Sequence, residues 1–387
     1  MIGPRVLVTA YPQSGHLHPL IPTARALVDA GCSIVVATSA SQRAGLASAG
    51  FETIDLGPSH DEAAAQLGKL LPTILAMAPP DRRPRLFSFL FGEVYAAAIA
   101  DELLERARSL RPDLILSGLE SLAGPLVAAR LELPLAVTGF GLGLPHDVCE
   151  AAMRAVAPLW KRAGLDVPAR AGVFDGLYVD ACPASLRPDD VPVAPRCQPV
   201  RPAQFDGVGE LPPLPTRRPL VYVSFGTNRV FATPKRLRTI AEAIAALGAG
   251  AVITGCDPGE LGTVPDGVAA HGFVPQSLLL PHCDAAICHA GANTAFGALA
   301  KGVPLVMVPL GADHFTNTRA VVRRGAALAL DEEADSQSIA AALERVLRDR
   351  EIRTAAREVA EEIAAMPSPA AAADGILSWL HSARSPL

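Results

Sequence analysis

Cysteine is sparse and unpatterned in this chain. The seven residues at 32, 149, 182, 197, 256, 283 and 288 are odd in number and include no Cys-x-x-Cys pair. That spacing suits neither a disulfide framework nor a zinc site, and a reduced, cytoplasmic setting fits it best. Long apolar runs are missing too. No stretch of about 20 apolar residues occurs, so no membrane span is expected. The first apolar run, at 6–10, is too short for a signal peptide. Charge is low: 19% of residues carry it and the net is −5, which argues against a nucleic-acid partner. No Gly-x-Gly-x-x-Gly follows the first apolar run, so nothing points to a nicotinamide or flavin. There is no Asp-x-Asp motif either, so no metal is called for and no cofactor is expected.

What is present is apolar bulk arranged in alternating elements. Half of the 387 residues are hydrophobic, enough for the cores of about two domains. The opening reads β-α-β-α-β, with strands at 6–10, 33–38 and 51–55, a helix from Pro19 to Gly31 and a short helix at 41–50. Such an order indicates a doubly wound parallel sheet. Residues 56–85, with Pro72, Pro79, Pro80 and Pro84, read as irregular, and a long helix is expected at 86–110. Strands at 113–117 and 135–138, a glycine-rich loop at 139–145, a helix at 146–163 and a last strand at 176–182 complete the first half. The stretch 183–219 is rich in proline, which fixes φ and donates no hydrogen bond, so it reads as a crossover. A second α/β pattern starts at 220 and ends in helices near 315–324, 336–348, 350–364 and 370–382. The expected division is an N-terminal domain at 1–198, a linker at 199–218 and a C-terminal domain at 219–387.

The stretch 283–319 organises the second half. An apolar strand at 284–288 leads into His289-Ala290-Gly291-Ala292-Asn293-Thr294, a small-residue turn in which Asn293 or Thr294 can cap the following helix. The free amides of that helix N-terminus would face the carboxyl edge of the sheet, where a phosphate can sit. Gly302-Val303-Pro304 and then Asp313-His314 follow. In sequence and spacing these residues resemble the donor signature of family 1 glycosyltransferases. Ala290 and His314 depart from it, standing where Gly and Gln are usual. The resemblance implies an α/β GT-B fold: two Rossmann-like doubly wound domains facing a central cleft, with the last helix, at about 370–383, crossing back to the first domain.

It also implies roles for particular residues. Ser224-Phe225-Gly226-Thr227 resembles the family's Ser-x-Gly-Thr loop near the diphosphate, so Ser224, Gly226 and Thr227 are candidate donor contacts. Phe273-Val274-Pro275-Gln276 resembles its aromatic-x-Pro-Gln box. There Phe273 would stack on the base, Val274 would bond the base edge through its backbone, and Gln276 completes the motif. The alternative for Phe273 is a core residue ending a strand. His289, Gly291, Ala292, Asn293 and Thr294 would hold the diphosphate, and Asp313 and His314 the sugar. His314 has a second reading as a solvated loop histidine. Gly297 stands where plant-type members have a ribose-binding Glu, which favours a deoxyribose (dTDP) donor and leaves UDP open.

Gly15-His16-Leu17-His18-Pro19 follows the first strand and resembles the family's Gly-His-x-x-Pro motif, which makes His16 the general base. His18 is either a second acceptor contact or part of the helix cap. A catalytic imidazole usually needs a carboxylate to set its tautomer. Glu120, after the strand at 113–117, is the candidate, against the alternative of an exposed acid at a helix N-terminus. Asp113 is at the wrong end of that strand. The activity implied is inverting, metal-independent hexosyl transfer from a nucleotide diphosphate sugar, the co-substrate, to a small apolar natural-product aglycone, as in antibiotic biosynthesis. Met77, Phe87, Phe89, Phe91, Tyr95, Phe140, Met153 and Trp160 would line the acceptor or fill the core. The rivals are a nucleotide-sugar epimerase and a non-catalytic partner protein of the same fold. A homodimer stays open.

Overall fold

The computed structural model describes residues 3–207, 209–226 and 230–384. The chain divides into two compact units. One comprises Met1–Cys182, Asp189–Arg201 and Pro367–Leu387, the other Pro183–Pro188 and Pro202–Met366.

The first domain is built on a parallel sheet of β1 (Arg5–Thr9), β2 (Ser33–Thr38), β3 (Glu52–Asp55), β4 (Leu114–Gly118), β5 (Leu135–Thr138), β6 (Leu177–Asp180) and β7 (Cys197–Pro199), in the order β3-β2-β1-β4-β5-β6-β7. Helices cover both faces of such a sheet, so its central strands are apolar without alternation. Val6, Leu7, Val8, Leu114, Ile115 and Leu116 are all buried. The second domain repeats the plan with β8 (Leu220–Ser224), β9 (Gly250–Thr254), β10 (Val268–His271), β11 (Ala285–Cys288), β12 (Leu305–Met307) and β13 (Ala327–Ala329), ordered β10-β9-β8-β11-β12-β13. Both are Rossmann-like doubly wound α/β domains. In each, the chain leaves the first strand toward one side and returns on the other. The crossovers therefore diverge beyond the carboxyl ends of β1 and β4, and of β8 and β11, and ligands collect at such switch points.

Four expectations need correction. Residues 56–85 are not irregular: a helix spans His60–Ala76 and another starts at Pro79. Ser59 and Glu62 form a reciprocal capping box, which outweighs the helix-breaking character of Pro72, and Pro79 sits where a missing N–H costs nothing. The helix expected at 86–110 therefore begins seven residues earlier, and it widens to π geometry over Ser88–Ala96 before Ala97–Leu110. The proline-rich stretch also contributes an unforeseen strand, β7, at the sheet edge, where proline is tolerated. Nor is the segment after it a free spacer. Asp206 accepts from the Ser277 N–H at 2.7 Å, and Gln204 donates to the Asn293 carbonyl at 3.4 Å. Pro202 onward thus belongs to the second domain, and the final helix, Pro369–Arg384, packs on Ile21–Asp29 of the first. Among the described residues no helix is long and apolar enough to cross a membrane.

Candidate active site

At the switch point of the second domain, Ser224 ends β8 and His289 follows β11, one residue past the paired Ser224 and Cys288. The imidazole of His289 is only 8% exposed. Two glycines make room for it. A Cβ on Gly226, whose φ is +75°, would come 2.9 Å from the ring, and one on Gly291 would come 2.5 Å from Nε2. Phe231 stacks on the ring at 5.9 Å and His314 meets it edge-on at 4.6 Å. Burial, with His314 beside it, depresses the His289 pKa to about 4, although a main-chain hydrogen bond at Ser224 and the Asp313 carboxylate pull the other way. His289 is therefore a neutral donor at pH 7, and its Nδ1 has no partner among the described residues. Ser224 accepts from the Gly226 N–H at 3.4 Å. Thr227 lies outside the described residues.

The helix after this turn is Ala292–Leu299, and its N-cap is Gly291 with no side-chain cap. The expected caps, Asn293 and Thr294, are its second and third residues, so no N-cap side chain competes for the first-turn amides. Ala290 takes φ +70°, a conformation that glycine adopts at no steric cost. Its carbonyl accepts from Asn317 Nδ2 at 2.9 Å, and the same amide donates to Asp313 Oδ2 at 2.8 Å. Asn317 thus ties the His289 turn to Asp313. His314 is 4% exposed, which overturns the solvated-loop reading. Its Nδ1 accepts from the Leu310 N–H at 3.3 Å, so a neutral His314 carries its proton on Nε2.

Phe273 is 60% exposed, so it is not a core residue. Val274 is buried, and its main-chain groups take no partner among the described residues. Gln276 opens a short helix and donates to the Asn293 carbonyl at 3.3 Å. A Cβ at Gly297 would fall 1.6 Å from Gln204 Nε2, so a side chain there would have to displace the end of that glutamine.

At the switch point of the first domain the structure brings His16 and Glu120 together. The loop expected at 11–18 tightens into a helical turn, Ser14–Leu17, then a 3₁₀ turn, His18–Leu20. His18 opens that second turn. Glu120 is fully buried, not an exposed helix-end acid. Oε1 accepts from the Tyr11 N–H at 3.3 Å, and Oε2 faces His16 Nδ1 at 3.7 Å. Neither of these last two atoms has a hydrogen-bond partner among the described residues. A buried carboxylate half-satisfied and aimed at an imidazole is costly unless the pair is used. His16 keeps 19% of its side chain exposed. Its ring meets the edges of Tyr11, Phe91 and Phe140 at 5.5, 5.3 and 4.9 Å. Of the other aromatics, Phe87, Tyr95 and Trp160 are core.

Sequence reasoning missed Phe231, Gln204 and Asn317. Asn317 had a signal, since it stands four residues after Asp313 on one helix face. The other two come from stretches with no motif of their own.

Two parallel doubly wound domains with polar clusters at their switch points are the architecture of GT-B glycosyltransferases. The erythromycin biosynthesis protein CIII-like N-terminal domain profile matches residues 25–201, and its C-terminal domain profile matches 238–378. The chain is 31% identical to an L-demethylnoviosyl transferase of Streptomyces niveus, over 98% of this chain and 99% of that one. It is 32% identical to an elloramycin glycosyltransferase of Streptomyces olivaceus, over 98% and 97%. A spinosyn rhamnosyltransferase solved with thymidine diphosphate superposes with a TM-score of 0.81 at 27% identity, covering 96% of this chain and all of that one. The chain belongs to the bacterial natural-product glycosyltransferases of family 1.

The buried state of His289 has a measurable consequence. An unfolded histidine titrates near 6.5. Above that pH neither state binds the proton and the group is neutral to stability. As pH falls from 6.5 toward 4, the unfolded chain takes up a proton that the native state refuses, and native stability drops. Between pH 7 and 4.5 the loss through this one group should be roughly 2–3 kcal/mol. Urea unfolding of wild type and His289→Asn at both pH values reads it. The wild type should lose that much more than the variant, whereas equal losses would mean the imidazole is not held neutral.

Proposed function

We propose that this chain is an inverting glycosyltransferase that moves a hexosyl group from a dTDP-sugar to a hydroxyl of a small apolar natural-product aglycone. The observation that carries the reading is the His16–Glu120 pair. Its two facing, unpartnered atoms on a buried carboxylate and a part-exposed imidazole are the arrangement a general base needs. Glu120 fixes the proton of neutral His16 on Nδ1, leaving Nε2 to take the proton of the acceptor hydroxyl. The oxygen attacks the anomeric carbon as the bond to the diphosphate breaks on the opposite side, and Glu120 then faces an imidazolium. Base catalysis of this kind contributes ~10²–10⁴-fold.

The leaving diphosphate is held by the second domain. The first-turn amides of Ala292–Leu299 and the neutral donor His289 supply hydrogen bonds to developing negative charge. Phe273, exposed beside the buried Val274, is the stacking face for the base. Asp313, oriented by Asn317, accepts from sugar hydroxyls, and His314 donates through Nε2. A thymidine nucleotide is favoured because Gly297 offers no side chain to a ribose 2′-hydroxyl. The solved complexes of spinosyn rhamnosyltransferase with thymidine diphosphate and with spinosyn aglycone support both ligand classes. With no Asp-x-Asp motif in the sequence, the reading calls on no metal.

The test is product analysis. Incubation with dTDP-glucose and UDP-glucose, each against a panel of phenolic and macrocyclic aglycones, should give glycoside with the dTDP donor preferred. An α-configured donor should yield the β-anomer, read from the anomeric proton coupling. Retained configuration would remove the single-displacement reading. Interconversion of the sugar without any acceptor would favour an epimerase.

A further inference from the structure

His60 has no place in the site described so far, yet the fold brings it there. It is the first residue of the helix His60–Ala76, whose entry is fixed by the Ser59–Glu62 capping box. Its Nδ1 lies 3.0 Å from the Tyr11 hydroxyl. Tyr11 is fully buried and serves three partners. Its N–H goes to Glu120, its ring edge to His16, and its hydroxyl to His60. His16 and His60 therefore stand against the same phenol ring, with centroids 5.5 and 5.7 Å from it.

The direction of the Tyr11–His60 bond follows from the surroundings. The Tyr11 hydroxyl is buried, and His60 Nδ1 is the one acceptor within its reach among the described residues. Its O–H therefore donates there, since the reverse direction would leave that proton unpaired, and the ring proton of His60 sits on Nε2. Burial also lowers the His60 pKa, with the Asp61 carboxylate opposing and His16 adding to the lowering. The neutral ring has one N–H left, and it takes no partner among the described residues.

We propose that His60 is an acceptor-binding residue whose Nε2–H donates to a second oxygen of the acceptor, while His16 takes the proton from the hydroxyl that attacks. This rests on the assignment of His16 as the base. It narrows the acceptor class to polyoxygenated ring systems, aromatic or macrocyclic, that carry a further hydroxyl or carbonyl oxygen beside the nucleophilic one. A bare phenol would use His16 alone.

Binding without any sugar donor tests this. The probes are naphthol and the isomeric dihydroxynaphthalenes, titrated by their own fluorescence. The proteins are wild type, His60→Ala, His60→Gln and Tyr11→Phe. At least one dihydroxynaphthalene should bind wild type roughly three- to tenfold more tightly than naphthol does, the worth of one neutral hydrogen bond. That gain should vanish in His60→Ala and be largely kept in His60→Gln, whose amide N–H can stand near Nε2. It should shrink in Tyr11→Phe, which frees the imidazole but leaves the ring against His16. Naphthol should bind all four proteins alike. No gain for any isomer in wild type, or a gain that survives in His60→Ala, overturns the proposal. Because no turnover is needed, failed sugar transfer would count against the proposed function and not against His60. Transfer with an acceptor preference that ignores His60 would count against His60 alone.

Discussion

His16→Ala should lower kcat by about 10²-fold or more while leaving affinity for thymidine diphosphate within ~0.5 kcal/mol of wild type. The imidazole is carried by a helical turn after β1 of the first domain, and every proposed nucleotide contact lies on the second. Removing it therefore acts on proton transfer and not on donor binding. The opposing view makes His16 a packing residue, since three aromatic edges surround it. Packing predicts a lower Tm with near-normal turnover per folded molecule. Measuring kcat, nucleotide affinity and Tm on one preparation separates the two. Near-wild-type turnover would move suspicion to His18, which shares the motif.

Glu120→Gln should show the opposite pattern to an ordinary core substitution. The carboxylate is fully buried and, among the described residues, accepts one hydrogen bond, from the Tyr11 N–H at 3.3 Å. Replacing it by an amide of the same shape removes an under-satisfied buried charge. Native stability should therefore hold or rise. Turnover should fall by about 10²-fold or more, because the amide neither fixes the His16 tautomer nor stabilises the imidazolium formed during attack. Gly118 provides the room for this side chain, a Cβ there falling 2.7 Å from Oε1. A variant with raised or unchanged Tm and wild-type kcat would show that Glu120 is not coupled to the base. A variant that loses Tm and kcat together would make its role structural.

The two polar clusters were unequally legible in the sequence. The His289 turn, Asp313 and the Ser224–Gly226 loop follow strands with strong apolar runs, so their positions at the sheet edge could be read from local pattern. Glu120 could be read for the same reason, as an acid just past β4. Its burial could not, because that depends on Gly118 and Tyr11 folding around it. The helix His60–Ala76 was missed although Ser59 and Glu62 spell the capping box, since four prolines nearby dominated the reading. Phe231 and Gln204 reach their places from unpatterned segments through tertiary packing alone, and nothing in their neighbours' spacing marks them. The cap of the helix Ala292–Leu299 shows a local rule failing. Asn293 and Thr294 have the right chemistry for a cap, but the tight turn around His289 needs Gly291 at that point, since any larger residue would strike the ring.

The central claim is that His16 takes the acceptor proton during attack. The most direct measurement is kcat against acceptor acidity, for wild type and His16→Ala, over a series of phenols of graded pKa with dTDP-glucose as donor. With a base in place, turnover should depend only weakly on acceptor pKa. Without it, kcat should fall steeply as the phenol becomes less acidic, and the two enzymes should converge for phenols already ionised at the assay pH. Parallel dependences, with the variant lower by a constant factor or not at all, would contradict proton transfer to His16.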